Sequence, residues 1–140
     1  MKIKVIIFNT KKEHEMCLAI RRQVFILEQN ISKQIETDDH LVNATHILAF
    51  SKEKAVGTAR YRRTDSGIKL ERFAVLKQFR NLGVGKALVL FILEKLKNEK
   101  FIYLNAQESV IGFYDNLGFD PIGEFFYEAE IPHQKMVYSG

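Results

Sequence analysis

Three observations predict a mixed α/β fold for this chain, one central sheet with helices on its faces. Strand-like runs, helical spacing and turn chemistry follow one another in the order β-α-βββ-α-β-α-ββ, and that order mixes the two periods along the whole length. The 140 residues match the modal size of one domain, so residues 1–140 are read as a single unit with one core. Apolar residues make up 46% and charged residues 27%, enough apolar surface to fill a core and too much for a disordered chain.

Residues 2–9 (KIKVIIFN) are β-branched and apolar and read as the first strand. Thr10 followed by Glu13 spells a capping box, and Met16, Ile20, Val24 and Leu27 recur at helical spacing, so a helix should run to about Glu28. Residues 29–43 are polar and aperiodic and read as a loop. Three strands then form an antiparallel meander, 45–51, 54–63 and 67–75, separated by the turn sequences Ser51–Lys54 and Thr64–Gly67. A second helix follows Gly85 and ends near Asn98. Residues 101–107 form a strand, Ser109 is placed to cap a short helix, and Gly118 is placed as its left-handed stop with Phe119 packing behind it. Residues 119–128 and 135–138 close the sheet.

The apolar run Ala87–Leu93 is far shorter than the ~20 residues a bilayer span requires, and the N-terminal residues have no signal-peptide pattern. The single cysteine, Cys17, falls in a helical pattern and reads as a buried structural thiol suited to a reducing cytoplasm. No membrane partner is expected. The four histidines show no short metal-ligand spacing, so no metal is expected either. A net charge of +4 and a pI near 9.2 suit nucleic acid or a small polyanionic ligand equally. No run of five basic residues exists, and Arg60, Arg62, Arg63, Lys69 and Arg72 are spread along strands; they read first as a solvated strand face, then as a patch for a cofactor's phosphates, and last as a nucleic-acid surface.

The most specific stretch is 75-VLKQFRNLGVGKALVLFILEKL-96, a strand end, a loop with Arg80, Gly83 and Gly85, and an apolar helix. A helix N-terminus exposes unpaired N–H groups and a partial positive charge, glycine lets backbone approach an anion, and arginine adds a planar charged fork. A Walker A loop would need Gly and Ser/Thr where Arg80 and Ala87 stand, and a dinucleotide fingerprint would need Gly or Ala where Leu88 stands. Both fail.

Arg80-x-x-Gly83-x-Gly85 resembles the [Gln/Arg]-x-x-Gly-x-[Gly/Ala] pyrophosphate loop of the GNAT acetyltransferase superfamily, and 113-FYDNLGF-119 is similar to its later Tyr-x-x-Leu-Gly-Phe motif. The stretches 22–29, 57–60, 105–107 and 133–136 look like those of the small bacterial ElaA/YjcF-type subgroup. The resemblance implies a mostly antiparallel twisted sheet, splayed in the middle between 70–75 and 101–107. It implies acetyl-CoA as donor, held by Arg80, Asn81, Leu82, Gly83, Val84, Gly85 and Lys86 at the pyrophosphate. Phe73, Ala74, Val75, Asn105 and Phe113 would hold the rest of it. Tyr114 maps to the family's general acid. The acceptor would be a primary amine of a small molecule or a protein, the location cytoplasmic, and a homodimer is admitted because dimers are frequent in the superfamily. A non-catalytic CoA-binding module on the same fold is the alternative.

Acyl transfer to an amine needs a neutral nitrogen, a stabilised carbonyl oxygen and a proton for the departing sulfur. A lysine-like amine of pKa ~10.4 is neutral in roughly one molecule per thousand at pH 7, so a base is useful. Glu71 is the first candidate base, and simple alternation puts it on the same sheet face as Phe73 and Val75; an ion pair with Arg60 or Arg72 is the competing reading. His46 and His133 are weaker candidates. The Val75 N–H is the candidate oxyanion donor. The acidic segment 36-ETDDH-40 is read as a solvated loop or as an attractor for a cationic acceptor.

Overall fold

In the computed structural model, which describes residues 2–33 and 43–140, seven strands form one sheet in the order β1-β2-β3-β4-β5-β7-β6. The strands are β1 Ile3–Phe8, β2 Thr45–Ser51, β3 Lys54–Thr64, β4 Gly67–Val75, β5 Ile102–Gln107, β6 Phe119–Glu128 and β7 Ile131–Tyr138. Every neighbouring pair is antiparallel except β4 and β5. The expected mixed sheet with a central meander is present. The acidic segment 36–40 and most of the 29–43 loop lie outside the described residues.

Helix α1, Lys11–Arg21, starts at Thr10, whose hydroxyl oxygen accepts the Glu13 N–H at 3.2 Å while its O–H donates to Glu13 Oε1 at 2.8 Å. The coil then widens into a π-helical segment, Arg22–Glu28. That widening rotates the buried face: Val24 and Phe25 are inside, while Leu27, at helical spacing from Val24 in the sequence, is 55% exposed. Helix α2, Val84–Lys95, begins at Gly83, and α3, Ile111–Asp115, follows a 3₁₀ turn over Glu108–Val110. Ser109 sits inside that turn and does not cap α3, which begins at Val110 without a side-chain cap. Gly118 is left-handed at φ 98° as expected, and Phe119 behind it is fully buried.

The sheet carries a core on each face. On one, α2 covers Ile47, Val56, Ile68, Leu70 and Leu104 with Leu88, Val89 and Ile92. On the other, α1 covers Leu48 and Ala74 with Cys17 and Ile20, and the π-helical segment adds Val24. Cys17 is buried as expected, 3.3 Å from the Thr58 hydroxyl. Gly57 lets α2 lie close on β3, because a Cβ there would stand 2.8 Å from Val84 Cγ1. The N-terminus of α2 is thereby held against the centre of the sheet. Among the described residues no helix is long and apolar enough to cross a membrane.

Candidate active site

The site begins with a failure of strand pairing. Strands β4 and β5 pair only at Ile68–Ile102, Lys69–Tyr103 and Leu70–Leu104; beyond Leu70 they separate. The cause lies in β4, where Thr58 opposes Ala74 but Arg60 opposes Glu71, so β4 carries an extra residue, with Arg72 in the left-handed region at φ 59°. A bulge of this kind bends and twists a strand. A cavity of 900 Å³ occupies the gap and is lined by both strands, the glycine loop, α3 and the π-helical segment.

The bulge also changes the phase of β4. Leu70, Phe73 and Val75 pack on the α2 face, whereas Ala74 packs with α1 and Glu71 opposes Arg60 on that same side. Glu71 therefore lies on the opposite face from Phe73 and Val75, and the single-face reading is corrected. Leu76 N–H donates to Val56 O at 2.9 Å, which turns the backbone of Ala74 toward β3 and that of Phe73 and Val75 toward the gap.

On the α2 face the cavity meets the glycine loop. Asn81 and Gly83 are left-handed, φ 63° and 91°, and α2 has no side-chain cap and no acidic residue in its first turn. Its first N–H groups therefore offer an anion-compatible rim. Asn81, Gly83, Gly85 and Lys86 line the cavity; Leu82 points to solvent and Val84 into the core, so neither lines it. Gly85 faces the Phe113 ring, where a Cβ would stand 3.2 Å from Cζ. The Arg80 fork is engaged: Nη1 and Nη2 donate to Glu28 Oε2 and Oε1 at 2.5 and 2.6 Å, and Nε donates to Val75 O at 3.0 Å. The Arg80 hydrogen bond, outweighing partial burial and aided by the Arg80 and Lys77 charges, holds the Glu28 carboxyl below its ordinary value.

Tyr114 comes from α3 and is 6% exposed, among the rings of Phe73, Phe113 and Phe119 at 5.8, 4.9 and 5.9 Å. It lines the cavity, and burial pushes its hydroxyl well above the usual phenol value. It is neutral and carries its proton throughout the physiological range.

The α1 face of the same gap is polar. Glu71 is 8% exposed and bound by Arg60 Nη2 at 2.6 Å, Arg62 Nε at 3.0 Å and Lys69 Nζ at 3.4 Å. Burial raises its pKa, but the Arg62 hydrogen bond and the charges of Arg60, Lys69 and Arg62 outweigh that and hold it below the ordinary carboxylate value. Asn105 Nδ2 lies 3.5 Å from Glu128 Oε1, and Gln107 Nε2 donates to Gln29 Oε1 at 3.0 Å. His133 completes this wall; His46 lies elsewhere, against Phe8 and His14. Among the described residues no three His, Cys, Asp or Glu side chains are grouped to hold a metal.

Phe73, Ala74, Val75, Arg80, Asn105, Phe113, Tyr114 and Glu71 are thus brought to one cavity, together with residues that the sequence reading did not single out: Glu28, Gln29, Gln107 and Glu128. Three of these four sit within the subgroup-like stretches 22–29 and 105–107, which was the available signal.

The comparisons agree with this architecture. Residues 10–139 match the model of the acetyltransferase (GNAT) domain family. The chain is 34% identical over 139 residues to the protein named "Uncharacterized N-acetyltransferase YjcF" of Bacillus subtilis (strain 168), covering 96% of this chain and 99% of that one. It is 33% identical over 123 residues to Protein ElaA of Escherichia coli (strain K12), covering 83% and 80%. The crystal structure of Escherichia coli ElaA superposes with a TM-score of 0.85 at 27% identity over 99% of each chain. An acyl-CoA N-acyltransferase from Pseudomonas aeruginosa shares the fold at a TM-score of 0.85 and 24% identity, over 99% of this chain and 100% of that one. With a GNAT loop at the mouth of a split sheet, and relatives of this kind along its whole length, the chain belongs to the GNAT acetyltransferase family.

Proposed function

We propose that the protein transfers an acetyl group from acetyl-CoA to a primary amine by direct attack, within the cavity between β4 and β5. The observation that carries this reading is the two-sided character of the gap. Its α2 face has the glycine loop, a helix N-terminus and a buried tyrosine; its α1 face has Glu128, amides and a histidine beside the Glu71 ion cluster. An anionic donor and a cationic acceptor fit opposite sides of such an opening.

The amides of the 80–86 loop and Lys86 hold the pyrophosphate, and Arg80 joins them if Glu28 releases its fork. The outward backbone groups of Phe73 and Val75 hold the extended amide arm as an added strand would. Asn105 and Phe113 complete that channel. The Val75 C=O is occupied by Arg80 Nε, which leaves the Val75 N–H for the developing oxyanion. Tyr114, kept neutral by burial and without a hydrogen-bond partner among the described residues, donates its proton to the leaving sulfur. Glu71 is a poor proton acceptor, since three cations stabilise its charged form.

The test is thiol release from acetyl-CoA over a panel of primary amines, with Tyr114→Phe beside the wild type. A loss of about tenfold or more in kcat with acetyl-CoA affinity retained is expected. Unchanged turnover removes Tyr114 from the mechanism. Acetyl-CoA binding with no thiol release for any amine supports the alternative, a non-catalytic CoA-binding module.

A further inference from the structure

We propose that His133 is the general base of the transfer, accepting the ammonium proton at Nε2 while Glu128 holds that ammonium in place; this rests on the amine-acetylation reading above. His133 Nδ1 lies 2.7 Å from Ile131 O. A carbonyl oxygen only accepts, so Nδ1 carries the hydrogen in the neutral ring and Nε2 carries the lone pair. The ring is 8% exposed and stacks on Phe126 at 6.0 Å and 24°, so its orientation is fixed before any substrate arrives.

Nε2 faces Glu128 Oε2 across 3.9 Å, too far for a direct hydrogen bond. Two acceptors set at that separation on the wall of a cavity match an ammonium that donates to both. The backbone maintains this spacing at some cost. Ala129 and Glu130 form the two-residue turn between β6 and β7 with φ 50° and 64°, left-handed values at residues with side chains. Such strain concentrates at functional sites, and here it folds Glu128 back toward His133.

The charged groups that share this cavity wall are Glu128 on β6 and Lys69, Glu71 and Arg72 on β4, while Lys135 on the same strand lies over the Phe101 and Tyr103 rings. Of the two cavity groups nominated as base, Glu71 is bound by three cations and His133 Nε2 by none among the described residues. The step balances. Nε2 takes one proton from the ammonium; the neutral nitrogen bonds to the thioester carbonyl carbon as the carbon–sulfur bond breaks. Tyr114 gives its proton to sulfur and regains one from the nitrogen as the amide forms, and His133 returns its proton to solvent.

The test combines a ring measurement with a kinetic one. In ¹⁵N-histidine-labelled protein, with His133→Gln identifying the resonance, the neutral ring is expected to be protonated at Nδ1, and its Nε2 signal to move when benzylamine is added to CoA-saturated protein. A ring protonated at Nε2 overturns the proposal whatever the turnover. In kinetics, His133→Gln should lower kcat/KM for benzylamine about a hundredfold, yet change it by less than about threefold for O-benzylhydroxylamine, which arrives neutral at pH 7. Equal losses for both amines would mark His133 as structural and overturn the proposal. Failure of the parent reading looks different, as no thiol release over the whole amine panel with the ring tautomer as expected.

Discussion

Glu28→Gln removes the carboxylate that holds the Arg80 fork and leaves the Arg80 Nε bond to Val75 O in place. Both partners are about a third exposed, at 34% and 36%. Exposed ion pairs contribute ~0.2–1 kcal/mol, and two-pronged geometry puts this one near the top, so about 1 kcal/mol is at stake. If the pyrophosphate and Glu28 compete for the same fork, that energy returns to binding when Glu28 is gone. Acetyl-CoA Kd, measured by calorimetry, should then fall about fivefold. The gain should shrink at high salt, since screening weakens both the carboxylate's hold and its repulsion of phosphate. Stability should move the opposite way, with Tm down by roughly 3 °C near neutral pH. The Glu28 pKa is lowered in the folded state, so its contribution is present above the ordinary carboxylate range and is lost as pH falls through the folded value. The Tm difference should therefore vanish on acidification. An unchanged or weakened Kd would refute the competition and leave Arg80 as a strut between Val75 and the π-helical segment.

Three further outcomes follow from the packing. Gly57→Ala places a Cβ 2.8 Å from Val84 Cγ1 and 3.2 Å from Leu88 Cδ1, so urea unfolding should report a loss of ~1–3 kcal/mol, with weaker acetyl-CoA binding because α2 is displaced. Glu71→Gln breaks a buried ion cluster and should cost about 3 kcal/mol near neutral pH. Because the folded Glu71 pKa is lowered, the stabilisation exists above the ordinary carboxylate value and the gap from wild type closes as pH drops below it. A fall in kcat without a fall in stability would return Glu71 to the role of base. Glu130→Gly relieves a left-handed φ of 64° and should stabilise by about 1 kcal/mol in chemical denaturation.

The legible parts of this fold are those that side-chain chemistry spells locally. Thr10 with Glu13, the Thr64–Gly67 turn and Gly118 each fix an element end because a side chain or a glycine is needed there. The loop residues Arg80, Gly83 and Gly85 were legible for the same reason. The illegible parts depend on backbone departures made by ordinary residues. Arg72 gives no local sign of a bulge, so simple alternation puts Glu71 on the wrong face. The π-helical widening shifts the coil by a fraction of a turn, enough to expose Leu27 and bury Phe25. β7 starts at Ile131 rather than Lys135, and the sequence hides that start, since Ala129-Glu130 lacks the glycine or asparagine such a turn prefers and Pro132 reads as a break. Each miss falls on the wall of the cavity. The residues that sequence reading passed over, Glu28, Gln29, Gln107 and Glu128, come together only through those departures.

The central claim is that this cavity passes an acetyl group from acetyl-CoA to an amine. It is tested most directly by mixing the protein with acetyl-CoA and a panel of primary amines, following thiol release, and identifying the product by mass spectrometry. Gly85→Glu serves as control, since its side chain meets the Phe113 ring and sets a negative charge at the α2 N-terminus. The account predicts amine-dependent thiol release with an N-acetylated product, abolished in Gly85→Glu. Thiol release that is independent of amine, or equal in the blocked variant, would contradict it.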